Sequence, residues 1–171
     1  FLAMLTQDVD AIERGTLADQ EMMNIEMSAK VVKGFGRGSK FLGIPTANMN
    51  MKEIGHQVDP ISTGIYCGFA RLRNEVYKTV VSIGWNPYFD NKEKTVEPHL
   101  LHDFQGNDFY GEILDLKLCS YIRAEMNFKS LDDLIQAIHG DIAYAHKKLV
   151  EPCYVAAEVS MREKCKINHS N

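Results

Sequence analysis

The stretch Gly64-Ile65-Tyr66-Cys67-Gly68-Phe69-Ala70-Arg71-Leu72, followed by Arg73-Asn74-Glu75 and then Val76-Tyr77-Lys78-Thr79-Val80-Val81-Ser82-Ile83-Gly84, decides the fold class. Two runs rich in β-branched and aromatic residues are strand-like, and a three-residue link suits a hairpin. A helical crossover does not fit in that link, so the pairing is antiparallel. Working outward, similar runs separated by Gly, Asn, Asp and Pro occupy 28–33, 43–50, 94–104 and 111–123, which makes six strands. Gln105-Gly106-Asn107-Asp108 reads as a further turn. Six antiparallel strands lose their exposed edges by closing into a small barrel, so a mainly β barrel is expected.

The grammar changes after Ser130. Leu131, Leu134, Ile135, Ile138, Ile142, Ala145 and Leu149 recur at helical spacing, with Asp132, Asp133, Asp141, Lys147 and Lys148 on the other faces. Ser130 with Asp133 resembles a capping box, and Pro152 lies beyond the end. Near the start, Leu5, Val9 and Ile12 suit a short amphipathic helix before Gly15. The expected organisation is therefore an extension over 1–27, partly helical, a barrel with its C-terminal helix over 28–150, and a C-terminal tail over 151–171 that is polar and frayed from Met161.

The 171 residues leave room for one domain with short appendages. Hydrophobic residues at 45% and charged residues at 25% match a globular chain with one core. Nineteen Lys plus Arg against 23 Asp plus Glu give a net charge of −4, which argues against nucleic acid or an anionic membrane surface as partner. No apolar run reaches the roughly 18 to 20 residues of a membrane span. Phe1-Leu2-Ala3-Met4-Leu5 is followed by Asp8, Asp10 and Glu13, unlike a secretory leader. Cys67, Cys119, Cys153 and Cys165 contain no Cys-x-x-Cys pair, so reduced thiols in a reducing compartment are expected. A cytoplasmic monomer is expected, with organellar targeting left open.

Three segments carry residues suited to chemistry. Gly34-Phe35-Gly36-Arg37-Gly38-Ser39-Lys40-Phe41-Leu42-Gly43 holds four glycines with two cations. Bare backbone N–H groups there can approach an anion, but Ser39 breaks both the Walker and the Gly-x-Gly-x-x-Gly patterns, so a solvated loop reads as well as a phosphate cradle. In Gly43-Ile44-Pro45-Thr46-Ala47-Asn48, Thr46 and Asn48 sit two apart in an extended segment. Their neutral oxygens face one way and suit Mg²⁺ carried on substrate phosphates, or simply local strand hydrogen bonds. In Thr95-Val96-Glu97-Pro98-His99-Leu100-Leu101-His102-Asp103-Phe104, Glu97 stands beside a proline that interrupts pairing and so faces an opening, as a general base or as an exposed strand residue. His99 and His102 at i, i+3 point to opposite faces and make a poor zinc site. The lone Trp85 reads first as core packing and second as a stacking surface.

These segments, in their order, resemble the riboflavin kinase (flavokinase) family of the eukaryotic, monofunctional type. The resemblance runs from about Ser28 to Leu149 and rests on Gly34-Phe35-Gly36-Arg37-Gly38-Ser39-Lys40, Leu42-Gly43-Ile44-Pro45-Thr46-Ala47-Asn48, Ser62-Thr63-Gly64-Ile65-Tyr66, Val81-Ser82-Ile83-Gly84-Trp85-Asn86-Pro87, Phe109-Tyr110-Gly111-Glu112 and Gly140-Asp141-Ile142. It implies a six-stranded antiparallel Greek-key barrel with a C-terminal helix packed on it, converting riboflavin and ATP into FMN and ADP. It implies nucleotide contacts at Gly34, Lys40, Thr46, Asn48, Leu100, His102 and Tyr110, and a divalent ion on Thr46 and Asn48, Mg²⁺ with Zn²⁺ or Mn²⁺ in substitution. It further implies a catalytic base at Glu97 and flavin contacts at Arg123, Met126 and Phe128. Ala124 and Met126 stand where relatives carry Pro and Lys. The residues before the first matched strand are too few for the adenylyltransferase half of bifunctional bacterial enzymes, so FAD synthesis is not expected.

Overall fold

Strand β3 (Gly64–Leu72) is buried on both faces, and this double burial organises the chain. Successive strand residues point to opposite sides, so Tyr66, Ala70 and Leu72 enter one apolar cluster while Cys67 and Phe69 enter another. The first cluster fills the interior of a barrel, and the second lies between the barrel wall and the C-terminal helices. The computed structural model describes residues 23–34, 43–85 and 93–167. The helix expected before Gly15 lies outside the described residues, as do Lys40 and Asn86-Pro87.

The strands are β1 (Ile25–Val32), β2 (Asn48–Met49), β3, β4 (Glu75–Trp85), β5 (Lys94–Leu100) and β6 (Ile113–Arg123). They pair antiparallel throughout in the order β2-β1-β6-β3-β4-β5. Strands β3, β4 and β5 form a meander, and β6 returns by a long connection to lie beside β3, which is the Greek-key arrangement. The β3–β4 hairpin turns on Arg73 and Asn74, with φ of 51° and 70°, so Leu72 pairs with Glu75. Two left-handed residues are what a two-residue hairpin needs to match strand twist. The sheet nearly closes where the Ala47 N–H donates to the Pro98 carbonyl at 2.8 Å, joining the approach to β2 with β5.

Among the described residues three helices accompany the barrel: α1 (Met51–Val58), α2 (Leu131–Lys148) and α3 (Pro152–Ile167). The start of α2 is capped as expected, the Asp133 N–H donating to Ser130 Oγ at 3.1 Å. Only its C-terminal half is buried, through Ala145 and Leu149, while Leu131 is exposed.

Several expected boundaries are corrected. The segment 43–50 is a strand only at Asn48–Met49, because Gly43 adopts φ of 69° and Pro45 has no N–H to pair. The chain then enters α1, whose N-cap Asn50 accepts from the Lys52 N–H at 3.2 Å and donates to Glu53 Oε1 at 2.8 Å. Strand β1 begins at Ile25, not at Ser28. Strand β5 stops at Leu100, after which His102 and Phe104 fold into an aromatic cluster with Tyr77 and Phe109. Pro98 does not interrupt pairing with β4, which continues from Thr79↔Leu100 to Trp85↔Lys94; its carbonyl faces the barrel seam instead. The tail is not frayed from Met161 to Ile167: it continues α3, which buries Tyr154, Ala157 and Met161 in the outer apolar cluster with Phe69 of β3, Val76 and Val80 of β4 and Cys119 of β6.

Lys94 is a buried cation with a structural task. Its ammonium donates to the carbonyls of Asp59 at 2.8 Å and Ile61 at 2.6 Å, and reaches Val58 at 3.4 Å. It thereby caps the carbonyl end of α1, where a positive charge is favoured. Lys94→Met leaves those carbonyls without their donor and should cost about 2 to 4 kcal/mol. Urea denaturation of the two proteins measures the difference, and an unchanged midpoint contradicts the capping role.

Candidate active site

The barrel seam is held at two adjacent points. Besides the Ala47–Pro98 bond, His99 Nδ1 lies 2.7 Å from the Pro45 carbonyl, which makes that nitrogen the proton-bearing one. Between these two fastenings sits Thr46, half-buried, and it lines a cleft on either side. One cleft, of about 250 Å³, gathers Glu97, Arg123, Met126 and Phe128 with Thr46. The other, of about 50 Å³, gathers Leu100, His102 and Tyr110 with Thr46. The residues expected at a flavin and those expected at a nucleotide thus fall into two separate groups with one shared wall.

Asn48 belongs to neither lining. It faces Gly34 instead, its side-chain amide lying where a Cβ at that position would stand, so a side chain there would displace the amide. Asn48 therefore stands at the edge of the Gly-rich segment. Lys40 and the rest of that segment lie outside the described residues.

Glu97 projects from the middle of β5 opposite Ser82. Thr95, two residues earlier on the same face, donates its hydroxyl to Glu97 Oε1 at 3.1 Å, which fixes one oxygen of a carboxylate on the lining of the larger cleft. Among the described residues no three His, Cys, Asp or Glu side chains are grouped to hold an ion. Trp85 is not core: it is 48% exposed, with the Lys94 ammonium 5.2 Å from its ring centroid.

Arg123 is held tightly. Its Nε and Nη2 donate to the two oxygens of Asp141 at 2.9 and 2.7 Å, its Nη1 donates to the Ala124 carbonyl at 3.1 Å, and its guanidinium carbon lies 5.8 Å from the Phe128 ring centroid. The cleft contains lining residues not singled out beforehand: Leu134, Ile138 and Asp141 from α2, and Glu125, whose carboxylate lies over Gly84 where a side chain would collide with it. A helical apolar stripe does not distinguish a face against a core from a face against a cleft. The half-exposure of Leu134 and Ile138 beside the buried Ala145 and Leu149 makes that distinction.

The flavokinase (riboflavin kinase) family profile matches residues 22–149. The chain belongs to the riboflavin kinase family. It is 53% identical over 124 residues to the riboflavin kinase of Homo sapiens, a match covering 72% of this chain and 79% of that protein. It is 56% identical over 125 residues to a bifunctional riboflavin kinase/FMN phosphatase of Arabidopsis thaliana, where the match covers 72% of this chain but 33% of the relative. The crystal structure of riboflavin kinase from Trypanosoma brucei is similar with a TM-score of 0.64 and 28% identity, covering 80% of this chain and 86% of that one. The six-stranded antiparallel barrel described above therefore matches the riboflavin kinase fold.

Burial holds the His99 imidazole below its ordinary 6.5, against the smaller opposing effect of its bond to Pro45. The native state thus resists protonation that the unfolded chain accepts. Stability from this group is present above pH 6.5 and is lost as pH falls through the lower folded value. His99→Gln keeps a donor for Pro45 but cannot titrate. Between about pH 7 and about pH 5 its thermal midpoint should fall less steeply than that of the unsubstituted protein. Parallel curves would contradict the assignment.

Proposed function

We propose that the chain is a riboflavin kinase that transfers the γ-phosphoryl group of ATP to the ribityl 5′-hydroxyl of riboflavin, giving FMN and ADP. The observation that carries this reading is Thr46 as the common wall of two clefts, with Glu97, Arg123 and Phe128 on one side and Leu100, His102 and Tyr110 on the other. A phosphoryl transfer needs two ligands meeting end to end at one polar boundary, and little covalent work by the protein beyond positioning.

Riboflavin would occupy the larger cleft, its ring near Arg123, Met126 and Phe128 and its sugar alcohol toward Glu97. Leu134 and Ile138 supply apolar surface for a planar, neutral ligand. The nucleotide would lie on the side of Leu100, His102 and Tyr110, with Gly34 and Lys40 over its phosphates. Glu97, its carboxylate steadied by Thr95, accepts the alcohol proton as the oxygen attacks phosphorus. Thr46, on the shared wall, and Asn48, beside Gly34, carry neutral oxygens of the kind that would hold a Mg²⁺ ion, which would supply charge neutralisation at the transferred group.

Glu97→Gln should fold and bind riboflavin while FMN formation drops about 10² to 10⁴-fold, since it removes the base and keeps the shape. Near-normal turnover, followed by chromatography of FMN, sinks the role of Glu97. Thr46→Ala tests the boundary separately. Its Mg²⁺ and ATP requirements should rise together by about tenfold, as expected for an ion that arrives on the nucleotide. An unchanged Mg²⁺ titration counts against that placement.

A further inference from the structure

The Gly140-Asp141-Ile142 element has no part in the reaction as described so far, yet Asp141 is the most deeply buried ionisable side chain lining the larger cleft, at 5% exposure. Its carboxylate takes both the Nε and one terminal nitrogen of Arg123 in the fork geometry of a bidentate pair. With the remaining terminal nitrogen on the Ala124 carbonyl, the guanidinium is held on three sides, with its carbon over the Phe128 ring. The pairing also cancels the only Arg or Lys charge on the described lining. Of the five ionisable residues there, Arg123 and Asp141 neutralise each other, His99 is kept uncharged by burial, and Glu97 and Glu125 remain uncompensated.

We propose that Asp141 is a positioning residue for flavin: it fixes Arg123 as a flat plate beside Phe128 and removes its charge, so that the cleft favours neutral riboflavin over the phosphorylated product. The inference rests on the reading that the flavin occupies this cleft. A flat, immobile guanidinium stacks well on a planar ring system and loses little freedom on binding. An uncancelled guanidinium charge at the ring end of the cleft would instead attract the product phosphate, which carries about 1.5 to 2 negative charges at neutral pH, and so favour FMN after transfer. With Asp141 in place, FMN meets two carboxylates and no available cation on the described lining.

The test is the dissociation constants of riboflavin and FMN, measured without nucleotide by quenching of flavin fluorescence. Asp141→Asn should weaken riboflavin about tenfold while FMN is held or tightened, so the preference shifts toward FMN by about tenfold or more. Arg123→Lys, which keeps the cancelled charge but loses the plate, should weaken both ligands equally. A merely structural Asp141 would lower both affinities in parallel with thermal stability, and an unshifted ratio in Asp141→Asn overturns the proposal. Should that variant not fold, Asp141→Glu, which displaces the guanidinium while keeping the charge, must weaken riboflavin; unchanged affinity overturns the positioning role. Phe128→Ala separates the two readings. If it leaves riboflavin affinity intact, the flavin does not occupy the cleft and both fall; if it weakens riboflavin while the Asp141→Asn ratio stays fixed, only the present inference falls.

Discussion

A single backbone hydrogen bond, from the Ala47 N–H to the Pro98 carbonyl, makes the barrel and the site the same object. Strand β2 is only two residues long, too short to close a sheet by itself. Closure depends on the irregular segment before it, and Pro45 with Gly43 keeps that segment out of regular pairing. The clasp of His99 on the Pro45 carbonyl fastens the same few residues from the side. Thr46 is pinned between these two contacts, and it separates the clefts because the seam passes between them. Site geometry of this kind comes from a frame whose interior is packed by Tyr66, Leu72, Val81, Leu114 and their neighbours, and rigid frames hold functional groups more precisely than loops do.

The acidic character of the chain fits this arrangement. A net charge of −4 is compatible with a phosphate-handling protein only if phosphate is met locally. On the proposed reading, that work belongs to the Gly-rich segment, Lys40 and the ion brought with the nucleotide. The cleft proposed for flavin is the opposite environment, with Leu134 and Ile138 of α2 and the carboxylates of Glu97 and Glu125 on its lining. On that reading the two ligands are sorted by charge as well as by shape.

Much of the frame is legible in the residues themselves, for physical reasons that can be named. The two-residue turn at Arg73 and Asn74 leaves one topology for β3 and β4, and Ser130 announces α2 by the bond its hydroxyl accepts. Helix α1 carried a signal too, in Asn50 with Glu53 three residues on, but the apolar run before it reads as strand. Helix α3 is harder to see, since its buried face is only Tyr154, Ala157 and Met161 among charged neighbours. At the site, Glu97 and Thr46 stand out because a carboxylate beside proline and two spaced oxygens are chemically unusual in a barrel strand. Asp141 does not stand out, because a single acid on an amphipathic helix looks like part of its polar face. Its partner Arg123 is 18 residues away in sequence, and only the docking of α2 on the barrel brings the two together.

The helical layer has one more consequence. Behind α2 and α3, burial pushes the thiols of Cys67 and Cys119 up to about 12, whereas Cys153 at the start of α3 is exposed. A thiol held protonated and covered is chemically silent, so the two barrel cysteines react only when the helices lift away from the wall. Their rate of alkylation therefore follows the undocking of the helical layer as a whole, and the share of that motion made by α2 would carry Asp141 away from Arg123 and open the larger cleft.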